Sequence, residues 1–545
     1  MSSEVARESE QRWHPAPHGE PPAGPDRTGH DAVLRPFRVR RPSRLRRRVG
    51  LVLGPVLLVA VLALPLPLSV AQHRVLAVLA FAIAYWVTEA LPLPMSSIVI
   101  LGLCVGLNAP HVPRESKTTS PAEAVFSLFS SPTMFLLIGA FIMAQAMIKY
   151  DLGRRIALKV LSFPGVAKST YRIVIAFGLL GALFSSIIDN GAVVTVLLPI
   201  AIGTYVALDK LVDEQAGYDV SLSRFGAALI LMTAYGATIG GLLTPIGDSS
   251  NLIGQQLIRD TTGVQIDFTT WVKLAVPIVV VLLPLLFVIV LATNRPEVGR
   301  IPGAKRYFHQ QREELGPLSR GEINTLVAFG VAILVWILPS MVGLMAGEGT
   351  QTHLYWQSRL HPSVGAILGA ALLFLLPVDR KEGGGTLVWS DAMKIDWGTL
   401  LVVGTGLTLG TLTYTTGLAD VLGHGLARRV GEGTPVLIVE LVVVGTAILV
   451  SELASNTASV GVMLPLVPAF AAVTGVDPMT LSVMTVFAAT YGFMLPISTS
   501  ANAIAYATGA VPMARMVRSG ILVDLSGLLA IVATVTVVLP LVKVG

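Results

Sequence analysis

The sequence predicts an all-α polytopic membrane protein, with about eleven transmembrane helices and two re-entrant hairpins arranged as an inverted repeat. The mean hydropathy is +0.72 and only 13% of the residues are charged. Apolar runs of membrane-spanning length follow one another from residue 50 to the end. Polar motifs interrupt four of these runs at positions that match in pairs. Such a composition excludes an ordinary soluble domain.

The N-terminal segment carries the orientation signal. Residues 1–34 are rich in Pro, Gly, Glu and Arg without periodicity, and we expect 1–49 to be a disordered, basic, cytoplasmic tail. Eight Arg lie between Arg35 and Arg48, directly before the first apolar run. A basic flank at that place sets topology. We therefore assign the net charge of +6 to orientation rather than to a nucleic-acid partner, with the N-terminus cytoplasmic and the C-terminus outside.

The apolar runs give the spans in order. The run 51–70 is longer than the apolar region of a signal peptide and lacks a clear cleavage site, so we interpret it as the first span. Segments rich in Lys and Arg then all fall on the cytoplasmic side if the N-terminus is inside. The other predicted spans are 74–91, 95–109, 132–149, 224–258, 271–293, 323–344, 361–378, 397–417, 479–508 and 520–543.

Two further runs, 172–208 and 434–470, each contain a polar motif near the middle. Such side chains are costly in lipid unless protein, water or a ligand meets them. Residues 188–199 match 455–465 in register at the Asn, the Ala and the Pro, 266 positions apart. Each run is a pair of spans or a re-entrant hairpin. The predicted topology puts the base of the first in the cytoplasm and that of the second outside, as in the inverted repeats of secondary transporters.

A second matched pair lies in the spans that follow these runs. Thr244–Asn251 matches Leu495–Asn502 at an offset of 251. Pro removes a helical hydrogen bond, and the Gly and Ser beside it free carbonyls that can bind a cation. We therefore predict broken helices; the alternative is a pair of Pro kinks packed against neighbours.

The predicted domain organisation follows from these matches. The chain divides into two halves joined by a cytoplasmic linker. The first half is 50–293 with hairpin 172–208 and broken helix 224–258, the linker is 294–322, and the second half is 323–545 with hairpin 434–470 and broken helix 479–508.

Other classes of protein fit less well. Cys104 is the only cysteine, which excludes an intrachain disulfide and thiolate-rich metal sites. The nine His lie in the tail, in loops or at span ends and form no His-Glu-x-x-His pattern, which disfavours an intramembrane enzyme. A passive channel has the same composition, but paired hairpins favour an occluded site. Glu89 and Glu452, in or near apolar runs, either serve function or cap a helix end.

Four ordered motifs carry a family resemblance. They are Trp86–Pro94, Lys394–Leu400, Ser455-Asn456-Thr457 and Tyr491–Pro496. From about residue 50 onward the chain resembles the divalent-anion/sodium symporter family, the carriers of di- and tricarboxylates and sulfate. The resemblance implies a homodimer that moves substrate by elevator-type alternating access, with no enzymatic activity and with Na⁺ as coupling ion in place of any cofactor.

The resemblance also implies two sodium sites and one anion site. Neutral oxygens suit Na⁺, and helix N-termini suit an anion. Sodium would be held by Ser185, Asp189, Asn190 and Gly247 at one site and by Ser451, Ala454, Asn456 and Ser498 at the other. Substrate carboxylates would be bound by Asn190, Gly191, Ser249, Asn456, Thr457, Thr499 and Ser500.

Some positions depart from the family pattern. Asp189 and Gly191 stand where Ser and Thr are expected, and 248–250 and 500–501 replace residues that usually end in Pro-Pro. A carboxylate beside a bound dianion needs a cation or a proton to neutralise it. The expected substrate is a C4-dicarboxylate such as succinate, malate or fumarate, driven by sodium. Proton coupling, exchange, and transport of sulfate or citrate remain alternatives.

Overall fold

The computed structural model describes residues 44–112, 120–212, 223–300, 303–347, 349–379, 384–430 and 433–542. The regular structure in these ranges is helical, apart from one isolated bridge between Pro377 and Gly385. By length and composition seven of the described helices can cross a membrane, or eight if one bent pair counts as a span. The prediction of an all-α polytopic membrane protein is confirmed. Most of the predicted tail, residues 1–43, lies outside the described residues.

The helices have the following bounds. In the first half they are Arg44–Ala63, Val70–Thr88, Leu93–Gly106, Pro121–Phe126, Pro132–Lys149, Leu152–Leu161, Thr170–Ser185, Asn190–Val212, Arg224–Gly241, Ser249–Thr262 and Phe268–Thr293. In the rest of the chain they are Ala304–Glu314, Arg320–Ala346, Gln351–Arg359, Pro362–Leu375, Trp389–Ala392, Trp397–Thr415, Leu418–Val430, Val436–Leu453, Asn456–Met463, Val467–Thr474, Pro478–Ala489, Ser500–Ala507 and Met513–Val538.

The first helix is shifted from its predicted position. It covers Arg44–Ala63 rather than 51–70, and Pro65 and Pro67, which lack the backbone N–H of a helical hydrogen bond, follow its end. The next helix begins at Val70 with a reciprocal cap: the Ser69 hydroxyl accepts from the Gln72 N–H at 3.3 Å, and the Gln72 side chain accepts from the Ser69 N–H at 3.0 Å. Such a cap satisfies backbone donors that the first turn leaves open.

Short helices also occupy segments that the sequence assigned to loops or a linker. Leu152–Leu161 packs beside Ala304–Glu314, and the Arg154 guanidinium donates to the Gln311 side chain at 3.0 Å. Arg155 donates to the carbonyl of Gly316 at 2.8 Å and pairs with Glu322. The linker therefore contains a helix that is bound to the first half.

Four interruptions of helical structure matter for the site. Residues 186–189 separate Thr170–Ser185 from Asn190–Val212, and 454–455 separate Val436–Leu453 from Asn456–Met463. Residues 242–248 and 490–499 divide the two later helices. At all four places the polar motifs found in the sequence interrupt the helix.

Small residues and one tyrosine hold these elements together. The helix before the first break packs so closely on Arg224–Gly241 that a Cβ on Gly236 would overlap Gly178, a close approach that small residues permit. The Tyr235 hydroxyl donates to the carbonyls of Phe493 at 2.7 Å and Met516 at 3.2 Å. One buried phenol thereby connects the two halves next to the 490–499 break.

Candidate functional site

The four helix interruptions meet around one cavity of about 1130 Å³. Two other cavities among the described residues are smaller, with volumes of about 430 and 80 Å³. All seven residues predicted to bind substrate line the large cavity: Asn190, Gly191, Ser249, Asn456, Thr457, Thr499 and Ser500. The structure therefore brings together residues that are more than 300 positions apart in sequence.

The first tip is formed by the start of the helix Asn190–Val212. Asp189 precedes it, and its carboxylate accepts a hydrogen bond from the Gly191 N–H at 3.0 Å. Asn190 is buried; its side-chain oxygen accepts from the Ser185 hydroxyl, and its NH₂ donates to Asp248 at 2.6 Å. This helix start lines the cavity at Asn190 and Gly191, and the positive end of a helix dipole favours an anion.

The second tip repeats this arrangement. Ser455 caps the helix that starts at Asn456 by accepting from the Ala458 N–H at 3.3 Å. The Ser451 hydroxyl donates to the Asn456 side-chain oxygen at 3.0 Å, and in both tips the Ser precedes the Asn by five residues. The Asn456 NH₂ also donates to the Thr490 carbonyl at 3.2 Å. Each tip therefore has a Ser–Asn pair at its base.

Asp248 joins the two tips. One of its carboxylate oxygens, Oδ2, accepts from Asn190 at 2.6 Å and from Asn456 at 3.4 Å, while Oδ1 caps the following helix through the Ser250 N–H at 2.8 Å. The side chain is almost completely buried. The motifs indicate Asp248 only as a departure from the family pattern and do not predict it as a site residue. The sequence feature that could have indicated this role is that Asp248 is the acidic residue of the first broken helix.

A matched pair of asparagines supports the two broken helices. The Asn251 NH₂ donates to the carbonyls of Gly241 and Thr244 at 2.7 and 2.9 Å, ten and seven positions earlier. The Asn502 NH₂ donates to the carbonyls at the same two offsets, at 3.1 and 3.2 Å. These bonds satisfy carbonyls that the break removes from the helix. Asn251 and Asn502 occupy matching positions in the sequence repeat, but the sequence does not predict this role for them.

Each broken helix contacts the tip of the other half. The Ser249 hydroxyl lies 3.4 Å from the Thr457 hydroxyl. A Cβ on Gly191 would lie 2.7 Å from the Ser500 hydroxyl oxygen. Gly191 and Ser500 are both departures from the family pattern, and the structure gives a reason: the Ser500 side chain occupies the space that a side chain at 191 needs.

The residues predicted to bind sodium form two oxygen-rich groups. In the first, Gly247 packs against the carbonyl oxygens of Ser185 and Gly241, so that a Cβ would overlap both. In the second, a Cβ on Gly492 would lie 3.0 Å from both the Ser451 hydroxyl and the Ser498 Cβ. Hydroxyl, amide and carbonyl oxygens are the donors that unwound helices offer to Na⁺. The Asp189 carboxylate lines the cavity, and Ala454 is buried at the second tip.

Glu89 and Glu452, the two acidic residues in or near apolar runs, have different surroundings. Glu452 is buried and accepts from the N–H groups of Met494 and Leu495 at 2.8 and 2.9 Å and from the Ser498 hydroxyl at 2.7 Å. It therefore caps the 490–499 break. Glu89 ends the helix Val70–Thr88 in a left-handed conformation and lines the cavity.

A multi-pass helical bundle in which two capped tips and two broken helices surround one cavity has the architecture of a secondary transporter. Comparison with known proteins identifies the family. The model of the sodium:sulfate symporter transmembrane region matches residues 45–542, and the chain belongs to this family. The resemblance found in the motifs is confirmed.

Individual relatives agree with this assignment. The chain is 31% identical over 499 residues to the sodium-dependent dicarboxylate transporter SdcS of Staphylococcus saprophyticus. The aligned region covers 90% of this chain and 91% of the relative. It is 29% identical over 507 residues to SdcS of Staphylococcus aureus strain USA300, covering 92% and 93%. The protein is accordingly a transporter and not an enzyme.

A solved structure shares the fold. The efflux pump MtrF of Neisseria gonorrhoeae superposes with a TM-score of 0.52 at 11% sequence identity, over 83% of this chain and 96% of that one. At this identity the likeness concerns the fold alone.

Proposed function

We propose that the protein is a sodium-coupled symporter of a small divalent anion, specifically a C4-dicarboxylate such as succinate, malate or fumarate. The observation that carries this proposal is the convergence of two helix N-termini, with their Asn and hydroxyl side chains, on one cavity. The printed names of the SdcS relatives, sodium-dependent dicarboxylate transporters, support the same substrate class.

The two tips suit a molecule with two carboxylates. One carboxylate would lie at the helix start formed by Asn190 and Gly191, beside the Ser500 hydroxyl, and the other would meet Asn456 and Thr457 with Ser249. Each carboxylate then lies at the positive end of a helix dipole. A ligand with only one anionic group could not place a carboxylate at both tips.

Sodium would bind behind the tips, where the Ser–Asn pairs meet the backbone of the broken helices. Asp189 and Asp248 add two carboxylates to the cavity that a dianion must enter. Like charges in a low-dielectric site repel strongly. Cations would therefore bind before the substrate, and this order couples sodium entry to uptake.

We further propose that the two halves form an inverted repeat whose transport part moves by an elevator-type mechanism within a homodimer. The equal offsets of the Ser–Asn pairs and of the Asn251 and Asn502 contacts support the repeat. The Lys- and Arg-rich segments favour a cytoplasmic N-terminus and an external C-terminus.

Uptake by the purified protein in proteoliposomes tests this function. Labelled succinate should accumulate when an inward sodium gradient is imposed at equal pH on both sides, and unlabelled malate and fumarate should compete. Competition by sulfate or citrate with no effect of C4-dicarboxylates would contradict the proposed substrate. Counterflow separates a carrier from a passive channel, because only a carrier accumulates labelled substrate against an unlabelled pool on the other side.

A further inference from the structure

The two tips that line the transport cavity differ in charge. Asp189 stands at the first tip where Ser455 stands at the second, and Gly191 likewise corresponds to Thr457, 266 positions later. Ser455 caps its helix with a neutral hydroxyl, which accepts from the Ala458 N–H at 3.3 Å. Asp189 caps the other helix with a carboxylate. The first tip therefore has a carboxylate in place of one hydroxyl and lacks a second hydroxyl.

Asp189 uses backbone donors of the first tip that a bound anion would otherwise meet. Its carboxylate accepts from the Gly191 N–H at 3.0 Å and also faces the Ala192 N–H. The first N–H groups of a helix have no partner within the helix and are the donors that bind an anionic ligand. The protein's own carboxylate thus fills part of this anion-binding helix start, and a substrate group placed there meets a negative charge.

The charge of Asp189 is not balanced by a cationic side chain in the described part of the chain. Arg46 and Lys394 line the same cavity, but neither forms an ion pair with Asp189. With sodium at both proposed sites, the two ions offset Asp189 and Asp248 and leave a substrate dianion at the tips unneutralised. Like charges in a low-dielectric site repel strongly, so a substrate that brings a cationic group of its own is favoured.

The space in front of Gly191 suits an ammonium group. Because Gly191 has no side chain, the Ser500 hydroxyl and an Asp189 carboxylate oxygen border the same space: a Cβ on Gly191 would lie 2.7 Å from the Ser500 oxygen and 3.4 Å from Asp189 Oδ1. An ammonium group has three N–H donors and no acceptor, so these oxygens are the partners that it needs. The Ser500 hydroxyl can accept from the ammonium group and donate to a carboxylate of the same ligand.

We propose that the preferred substrate is a C4-dicarboxylate with an amino group on carbon 2, of which aspartate is the simplest example. Its ammonium group lies between Asp189 and Ser500, and the carboxylate on the same carbon lies beside Asn190. The other carboxylate meets Asn456 and Thr457 at the second tip, where a neutral hydroxyl caps the helix. This preference rests on the proposed transport of C4-dicarboxylates and narrows it.

Competition in proteoliposomes tests this preference. L-Aspartate and L-malate share one carbon skeleton with two carboxylates and differ at carbon 2, which carries an ammonium group or a hydroxyl. Aspartate should inhibit sodium-driven uptake of labelled succinate at a concentration at least about tenfold below that of malate. Asp189→Asn keeps an acceptor for the Gly191 N–H but loses the charge, so the ratio of the two inhibition constants should fall to about one. Glu89→Gln makes the same charge change in this cavity outside both tips and should keep the wild-type ratio.

A binding measurement covers the case in which Asp189→Asn does not transport. At saturating sodium, aspartate should raise the melting temperature of the purified wild-type protein more than malate does, and this difference should vanish in Asp189→Asn. An aspartate advantage that survives in Asp189→Asn would overturn the proposal, and stronger inhibition by L-glutamate would contradict the C4 length.

The wild type separates this preference from the proposed function on which it rests. If succinate accumulates under a sodium gradient but malate competes as well as aspartate, the preference is wrong and the proposed function stands; sodium or a proton then neutralises Asp189. If labelled succinate, malate and aspartate all fail to accumulate with sodium, the proposed function itself is wrong.

Discussion

The Asn190 side chain donates a 2.6 Å hydrogen bond to a carboxylate oxygen of Asp248, across a separation of 58 residues. The same oxygen accepts from Asn456 at 3.4 Å, 208 residues away. One carboxylate thus holds the first Asn of each tip. Because both asparagines also accept from a Ser that is a proposed sodium ligand, the charge of Asp248 lies next to both proposed cation sites.

Removing the charge of Asp248 should weaken sodium binding. Asp248→Asn keeps the shape of the side chain, and an ionised carboxylate about 5 Å from a monovalent cation is worth a few kcal/mol at an intermediate dielectric. We expect the sodium concentration for half-maximal uptake to rise by at least about tenfold. Asp420→Asn, an exposed residue of Leu418–Val430, makes the same charge change outside the site. An unchanged sodium requirement in Asp248→Asn would show that the carboxylate serves only to hold the tips.

Asn456 is expected to be essential for transport. Asn456→Ala removes the contacts to Ser451, Asp248 and Thr490 together with a proposed ligand of both sodium and substrate. Uptake should fall by more than about a hundredfold, because buried partners would be left unsatisfied. Expression and dimer formation should stay intact. Asn324→Ala, which loses a 2.8 Å bond to the Thr386 hydroxyl outside the site, is the control. Wild-type transport by Asn456→Ala would mean that the second tip is only structural.

Gly191 and Ser500 should behave as a coupled pair. Gly191→Thr restores the residue expected from the family, but its Cβ would lie 2.7 Å from the Ser500 hydroxyl oxygen. The single variant should therefore lower both thermal stability and uptake. Adding Ser500→Gly frees the space, and we expect a coupling free energy of about 1 kcal/mol or more in a double-mutant cycle. Additive effects would show that the two departures are independent.

The proposed topology predicts opposite accessibility of two connecting segments. The inverted repeat requires the 209–223 segment to lie inside and the 418–433 segment outside. A single cysteine placed within 213–222 and another at Gly433, each in a Cys104→Ser background, should react with an impermeant maleimide from opposite sides. The buried Cys104 should contribute no labelling even before it is replaced. Labelling of both positions from one side would contradict the inverted repeat.

The sequence predicted the parts of the fold that depend on local chemistry. Pro245 and Pro496 lack a backbone N–H and lie beside small polar residues that favour turns, so the breaks at 242–248 and 490–499 could be located. The first helix was predicted to extend to residue 70 because the apolar run continues past Pro65, whereas the helix ends at Ala63. Amphipathic helices such as Leu152–Leu161 were not predicted, because this ten-residue segment is too short and too polar to form a membrane-length apolar run.

Contacts between distant segments could not be predicted in the same way. Nothing in the spacing of Asn190, Asp248 and Asn456 shows that one carboxylate bonds to both amides. The fit of Gly191 to Ser500 likewise depends on how the two halves pack. In the sequence, Asp248, Gly191 and Ser500 stand out only as departures from the family pattern. The structure places Asp248 against Asn456 and Gly191 against Ser500, in each case a residue of the other half.

Asp189 distinguishes sodium coupling from proton coupling. Its carboxylate caps the first tip through the Gly191 N–H at 3.0 Å and lines the cavity, so an ionised side chain would attract a cation bound at that tip. Serine is an equally good cap, and Asp189→Ser should therefore keep the fold and transport while losing the charge. We expect the sodium concentration for half-maximal uptake to rise severalfold at constant pH.

The measurement is uptake in proteoliposomes with sodium and pH gradients imposed separately. Uptake driven by a pH gradient without sodium, with that dependence lost in Asp189→Ser, would instead assign Asp189 a transported proton. The wild type should show no such uptake, because a carboxylate that stays charged to hold sodium has no proton to release.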